Sequence, residues 1–129
     1  MAINDVIFKH RGIDHEDERR ALFTAFNGDV GGFVAQQVKF AEMKRDAILG
    51  GHYHEYDELF YMLKGEGSFN LKDVDCSDRL VESYDMVQGD MLLIPQRIAH
   101  RAEIKSKSIL VGCTAEPYVF GESDHKYDF

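Results

Sequence analysis

The chain has 129 residues and a net charge of −8, from 23 acidic and 15 basic side chains. That length suits one domain with a self-sufficient core, and a content of 44% hydrophobic and 29% charged residues excludes a disordered chain. The acidic balance argues against nucleic acid as a partner, because phosphate recognition needs clustered Lys and Arg.

In chain order, Val6-Ile7-Phe8 reads as an edge strand. Residues 14–26 stay open: Asp14 is a helix-cap candidate with Leu22, Ala25 and Phe26 on one side, but the second half also alternates as a strand. Asn27-Gly28-Asp29 and Gly31-Gly32 are turn chemistry. Residues 33–43 predict a strand with Val34, Gln36, Val38 and Phe40 on one inward face, and residues 46–51 a loop. Residues 58–63 are strongly strand-like, and Gly65-Glu66-Gly67 turns them into a partner strand at 68–71. After an acidic loop at 73–78, strands are expected at 79–87, at 91–94 (stopped by Pro95), at 99–104 and at 108–114. Many short strands with Gly-marked turns predict an all-β barrel or sandwich. The expected organisation is a single domain over 1–129, with its core at about 33–115, an N-terminal arm at 1–32 and a polar tail at 116–129.

The chemistry concentrates in Gly50-Gly51-His52-Tyr53-His54-Glu55-Tyr56-Asp57-Glu58. His52, His54 and Glu58 share parity, so in an extended chain they share a face. A fourth candidate, His100, ends Gly89-Asp90-Met91-Leu92-Leu93-Ile94-Pro95-Gln96-Arg97-Ile98-Ala99-His100. Neutral imidazoles with a carboxylate suit one divalent transition metal, among Fe, Mn, Ni, Co and Zn. The same face continues through Phe60 and Met62, which places the group inside a barrel, where unpaired polar atoms are costly. Gln36, polar on an otherwise apolar face, and Arg97 and Arg101, beside His100, are candidate substrate contacts. His10, His15 and His125 read as surface residues.

These residues carry a resemblance to the cupin superfamily. Its first motif is matched by His52, His54, Glu58 and Gly65, and its second by Gly89, Pro95 and His100. Arg97 stands where the motif has Gly, Asp46 where a Gly precedes the first His, and Ile104 where an Asn closes the second motif. The resemblance implies a double-stranded β-helix of jelly-roll type, with an optional short N-terminal helix. It also implies His52, His54, Glu58 and His100 as ligands.

Asp17-Glu18-Arg19-Arg20-Ala21-Leu22-Phe23, together with Gly50-Gly51-His52-Tyr53-His54, is further similar to sugar-nucleotide ketoisomerase and epimerase cupins, with Arg20 in place of Gly and Leu49 in place of Arg. The expected function is therefore a metal-dependent isomerase or epimerase acting on a sugar or related keto compound. The alternatives are an Fe(II) dioxygenase or a non-catalytic binding cupin.

Cys76 and Cys113 lack Cys-x-x-Cys spacing and read as free thiols in a reducing compartment. No stretch approaches the ~20 apolar residues of a membrane helix, and no signal peptide is evident. The expected setting is the cytoplasm, with a small-molecule substrate and no membrane as partners. A homodimer is expected, through an apolar outer face at Leu59, Tyr61 and Leu63 or through the aromatic tail.

Overall fold

A computed structural model describes residues 5–77 and 80–129. The expected features at 1–4 and the start of the 79–87 strand at Arg79 lie outside the described residues. Among the described residues twelve strands run β1 Ile7–His10, β2 His15–Glu16, β3 Ala21–Leu22, β4 Gln37–Glu42, β5 Ala47–Tyr53, β6 Glu58–Lys64, β7 Glu66–Asp73, β8 Glu82–Val87, β9 Asp90–Ile94, β10 Ile98–Ile104, β11 Ile109–Thr114 and β12 His125–Lys126. They form two five-stranded antiparallel sheets, ordered β1-β9-β6-β11-β4 and β12-β5-β10-β7-β8, and a small β2–β3 pair. This is the expected all-β jelly roll.

The two sheets share a core. Met62, Leu92, Ile94 and Leu110 from the first pack with Phe69, Leu71, Met86, Ile98 and Ile104 from the second. A second cluster fills the opposite face of the first sheet, where Leu59, Tyr61, Met91, Leu93 and Cys113 pack under Val30 and the arm residues Phe23, Phe26 and Phe33. Both faces of β9 are thus covered, which is why Met91-Leu92-Leu93-Ile94 is apolar without alternation. It also corrects one expectation, because Leu59 and Tyr61 are buried beneath the chain's own arm and offer no open face to a second copy.

Three local readings change. Residues 14–26 hold no helix. Asp17 turns β2 into β3 by accepting hydrogen bonds from the backbone N–H groups of Arg19 and Arg20, an Asx-type turn that competes with helix formation. The expected loop at 46–51 is most of β5, whose Gly50 and Gly51 take φ of 85° and 82°. Because His52 pairs with His100 and Gly50 with Arg101, one residue is extra, a bulge that re-aims the strand just before His52. A Cβ on Gly50 would stand 2.7 Å from the His100 carbonyl oxygen, so the close approach requires glycine.

In β4 the inward parity is the odd one. Lys39 and Ala41 pair with Gly112 and Leu110, whereas Val34, Val38 and Phe40 are more than half exposed. An edge strand with apolar residues on both parities does not declare its inner face.

Candidate metal centre

The site lies between the sheets. His52 and His100 are direct cross-strand partners on β5 and β10, and His54 follows one residue after β5 ends. Glu58 opens β6 in the opposite sheet, paired with Ile94 and Thr114. Period-two alternation sends Glu58 and Phe60 inward and Leu59 and Tyr61 into the second cluster.

The ligand nitrogens of His52, His54 and His100 lie within 4.8 Å of one another. Glu58 Oε1 is 3.2 Å from His54 Nε2 and 3.5 Å from His100 Nε2. His54, Glu58 and His100 are all buried. Yet Glu58 Oε1 receives no properly directed hydrogen bond, an arrangement expensive for a buried carboxylate. First-row ions bind imidazole nitrogen and carboxylate oxygen at about 2.0–2.2 Å; the three imidazoles lie close enough together to share one ion, with the Glu58 carboxylate beside two of them. The donor set fits a divalent transition metal.

Electrostatics prepare the ligands unequally. Burial, partly offset by Glu58, pushes His100 down to about 4, and burial likewise lowers His52. Both are then neutral at pH 7 and able to ligate. For His54, burial opposes a rise, but the adjoining Glu58 carboxylate outweighs it and the pKa ends above the usual value. Burial also works against ionised Glu58, and the neighbouring imidazoles nonetheless hold its pKa below the usual range.

These shifts predict acid lability of the metal-free protein. A histidine depressed on folding binds more protons unfolded, so its contribution is complete above pH 6.5 and is lost as pH falls toward 4. For His100 that loss is about 3 kcal/mol. Glu58 adds loss of the same sign at lower pH. His54 acts oppositely, its contribution being full below pH 6.5 and fading as pH rises. Urea denaturation at pH 7 and pH 4 measures the balance, and equal stabilities would contradict it.

His52, His54, Glu58 and His100 line a cavity of about 200 Å3 with Phe60, Phe69, Leu49, Ala102 and Leu110 as apolar wall and Lys39, Tyr118 and Asp124 at its polar side. The three expected substrate contacts are placed elsewhere. Gln36 is exposed before β4 and bonds through its backbone N–H to the Thr114 carbonyl. Arg97 is held by Asp75, through two hydrogen bonds of 2.8 Å, and by Glu55 at 2.7 Å. Arg101 lies over the Phe129 ring. Arg97 also has φ 64°, so where the motif departs from Gly the backbone keeps a glycine-like conformation.

Lys39, Tyr118 and Asp124 were not legible in the sequence as site residues. Only the placement of Lys39 on the other parity of the 33–43 strand, and the mix of aromatic and acidic residues in the tail, hinted at them.

Fold and site together define a jelly-roll domain with an internal cluster of three histidines of metal-ligating type. The chain belongs to the cupin family, whose Cupin domain profile matches residues 40–111. It is 36% identical over 67 residues to an acireductone dioxygenase of Yarrowia lipolytica, covering 52% of this chain and 37% of that protein. To the enzyme of the same name from Candida albicans it is 29% identical over 97 residues, covering 75% and 48%. The chain thus spans half or less of the length of these relatives.

Among solved structures, a 3,4-ketoisomerase from Helicobacter canadensis superposes with TM-score 0.75 at 18% identity, covering 92% of this chain and 88% of that one. A TDP-quinovose 3,4-ketoisomerase from Campylobacter jejuni gives 0.77 at 16%, covering 95% and 94%. At these identities the likeness is one of fold.

Proposed function

We propose that the protein is a metal-dependent enzyme of the isomerase or epimerase type, acting on a small keto or hydroxyketo compound. The observation that carries this reading is the convergence of His52, His54, His100 and the unsatisfied Glu58 Oε1 on a small, largely apolar cavity. A bound divalent ion would polarise a substrate carbonyl or hydroxyl oxygen. The chain's own part is to orient and to exclude water. Phe60, Phe69 and Leu110 would hold the carbon skeleton away from solvent, and the Tyr118 hydroxyl, hydrogen-bonded to Asp124 at 2.8 Å, supplies proton-carrying groups at the open side.

Size and charge favour a small substrate over a nucleotide-linked sugar. The cavity's volume of about 200 Å3 falls below the roughly 300–1,000 Å3 of sites for drug-sized ligands. Lys39 is the one cation among its described lining residues, whereas a diphosphate calls for several. A homodimer and a cytoplasmic setting stay within this reading.

An Fe(II) dioxygenase is the second reading, favoured by the sequence relatives named acireductone dioxygenase. Oxygen dependence separates the two. Protein loaded with Mn(II) or Zn(II) should exchange the carbon-bound protons of small hydroxyketones such as dihydroxyacetone with solvent deuterium under strict anaerobiosis. Turnover only with iron and oxygen would replace the isomerase reading with the dioxygenase one, and binding without turnover would leave a binding module.

A further inference from the structure

Residues 118–126 lie beyond the last long strand, yet they are tied to the metal centre at several points. The Ser123 main-chain carbonyl accepts a hydrogen bond from His54 Nδ1 at 2.8 Å. Asp124 Oδ1 stands 3.5 Å from the same nitrogen and 4.0 Å from His52 Nε2. Tyr118 donates its hydroxyl to Asp124 Oδ2 at 2.8 Å, and the Lys39 ammonium sits 4.7 Å from the centre of the Tyr118 ring. Directly afterwards β12 pairs His125 with Tyr53 and Lys126 with His52, extending the sheet that carries the imidazoles.

The chemistry of the His54 contact is one-directional. A carbonyl oxygen can only accept, so His54 Nδ1 must carry the proton. Its Nε2 then presents a lone pair toward Glu58 and His100, the side where a metal would bind. The ring plane is also held, since Tyr56 stacks on His54 at 4.7 Å and 7°.

The carbonyl is presented by a tight turn. The N–H groups of Glu122 and Ser123 donate to the Val119 carbonyl at 3.0 and 2.9 Å, and Val119 N–H donates to Ser123 Oγ at 2.7 Å. Gly121 closes the turn at φ 83°, with open space where a Cβ would be.

We propose that residues 118–124 form an outer support of the metal centre, in which the Ser123 carbonyl fixes the His54 tautomer and the Tyr118–Asp124 pair braces the His52 and His54 rings. This rests on the metal-site reading and is independent of the reaction catalysed. Ser123 and Asp124 are positioning residues. Partners of this kind set ring orientation and ligand basicity, and losing one weakens metal binding by about 10- to 100-fold.

The test titrates the full-length protein with Zn(II) against a chromophoric chelator. Gly121→Val strains the turn without a clash, and Asp124→Asn keeps its size while removing its charge. Each should weaken zinc binding by about tenfold or more; the melting temperature of the metal-free protein should hold in Asp124→Asn and fall by a few degrees in Gly121→Val, where a left-handed residue gains a Cβ. The 15N spectrum of zinc-loaded wild-type protein should show His54 protonated at Nδ1, and Gly121→Val should lose that protection from solvent exchange.

Unchanged zinc affinity in both variants, or wild-type His54 protonated at Nε2, would overturn the proposal. If Gly121→Val does not fold, Asp124→Asn decides alone. A wild-type protein that binds no zinc would overturn the metal-site reading itself, and this proposal with it.

Discussion

His100→Ala is expected to leave the purified protein essentially free of metal, with affinity reduced on the order of 1,000-fold. His100 is buried on β10 opposite His52, its nitrogen faces Glu58 at 3.5 Å, and burial keeps it neutral and ready to ligate. Removing one of four ligands forfeits a direct bond, so the loss should exceed the ~10- to 100-fold cost of losing an outer partner. Glu58→Gln keeps the volume and removes the anionic ligand, so it tests the same cluster with less damage to packing. His15→Ala is the control, because His15 lies exposed on β2 and outside the cluster. Elemental analysis per chain reads all three, and full occupancy in His100→Ala would defeat the ligand assignment.

The largest effect on folding is expected from Gly65→Ala. Gly65 joins β6 to β7 at φ 88°, and a Cβ there would stand 2.1 Å from Ser108 Oγ and 2.7 Å from Ser108 Cα. The contact cannot relax by rotating a side chain, because a backbone atom is among those struck. Ser108 is itself fixed, fully buried, with its hydroxyl accepting from Glu66 N–H at 3.0 Å and donating to the Glu66 carbonyl at 3.2 Å. A left-handed residue with a Cβ costs roughly 1–2 kcal/mol, and overpacking adds ~1–3 kcal/mol. Together they give a loss of about 4 kcal/mol, a large share of the ~5–15 kcal/mol that holds a typical domain together. Gly31→Ala, at φ 59° with open space around it, should show the backbone cost alone. Chemical denaturation of the two variants side by side checks the difference, and equal losses would mean that the Ser108 contact yields easily.

The meeting of the candidate ligands was legible because its determinants are local and chemical. His52, His54 and Glu58 sit at period-two spacing in one stretch, and His100 follows Gly89 and Pro95 at motif distance. Strands β6 and β9 were legible from their apolar, branched and aromatic runs, although the sequence put Leu59 and Tyr61 on an outer face that the arm in fact covers. What stayed hidden is set by contacts between distant segments. β12 is two residues long and carries no periodicity, so nothing in its composition says that it will pair with β5 and bring Asp124 beside His54. The arm's role as a cover depends on Phe23, Phe26 and Phe33 meeting Leu59 and Leu93, and no short window contains that match. Gly50 and Gly51 look like a loop because glycine favours turns, but here their positive φ lets a strand carry a bulge.

The arm has a consequence for biosynthesis. β1 pairs with β9, joining Ile7 to Leu93 and Phe8 to Leu92, and the aromatic residues behind it rest on strands that the ribosome makes far later. A nascent chain therefore carries Phe23, Phe26 and Phe33 uncovered until β6, β9 and β11 have all emerged. The arm is made before the strands it covers and can dock only after them. Such ordering makes for slow, long-range closure and a window of stickiness in which a chaperone has an obvious client.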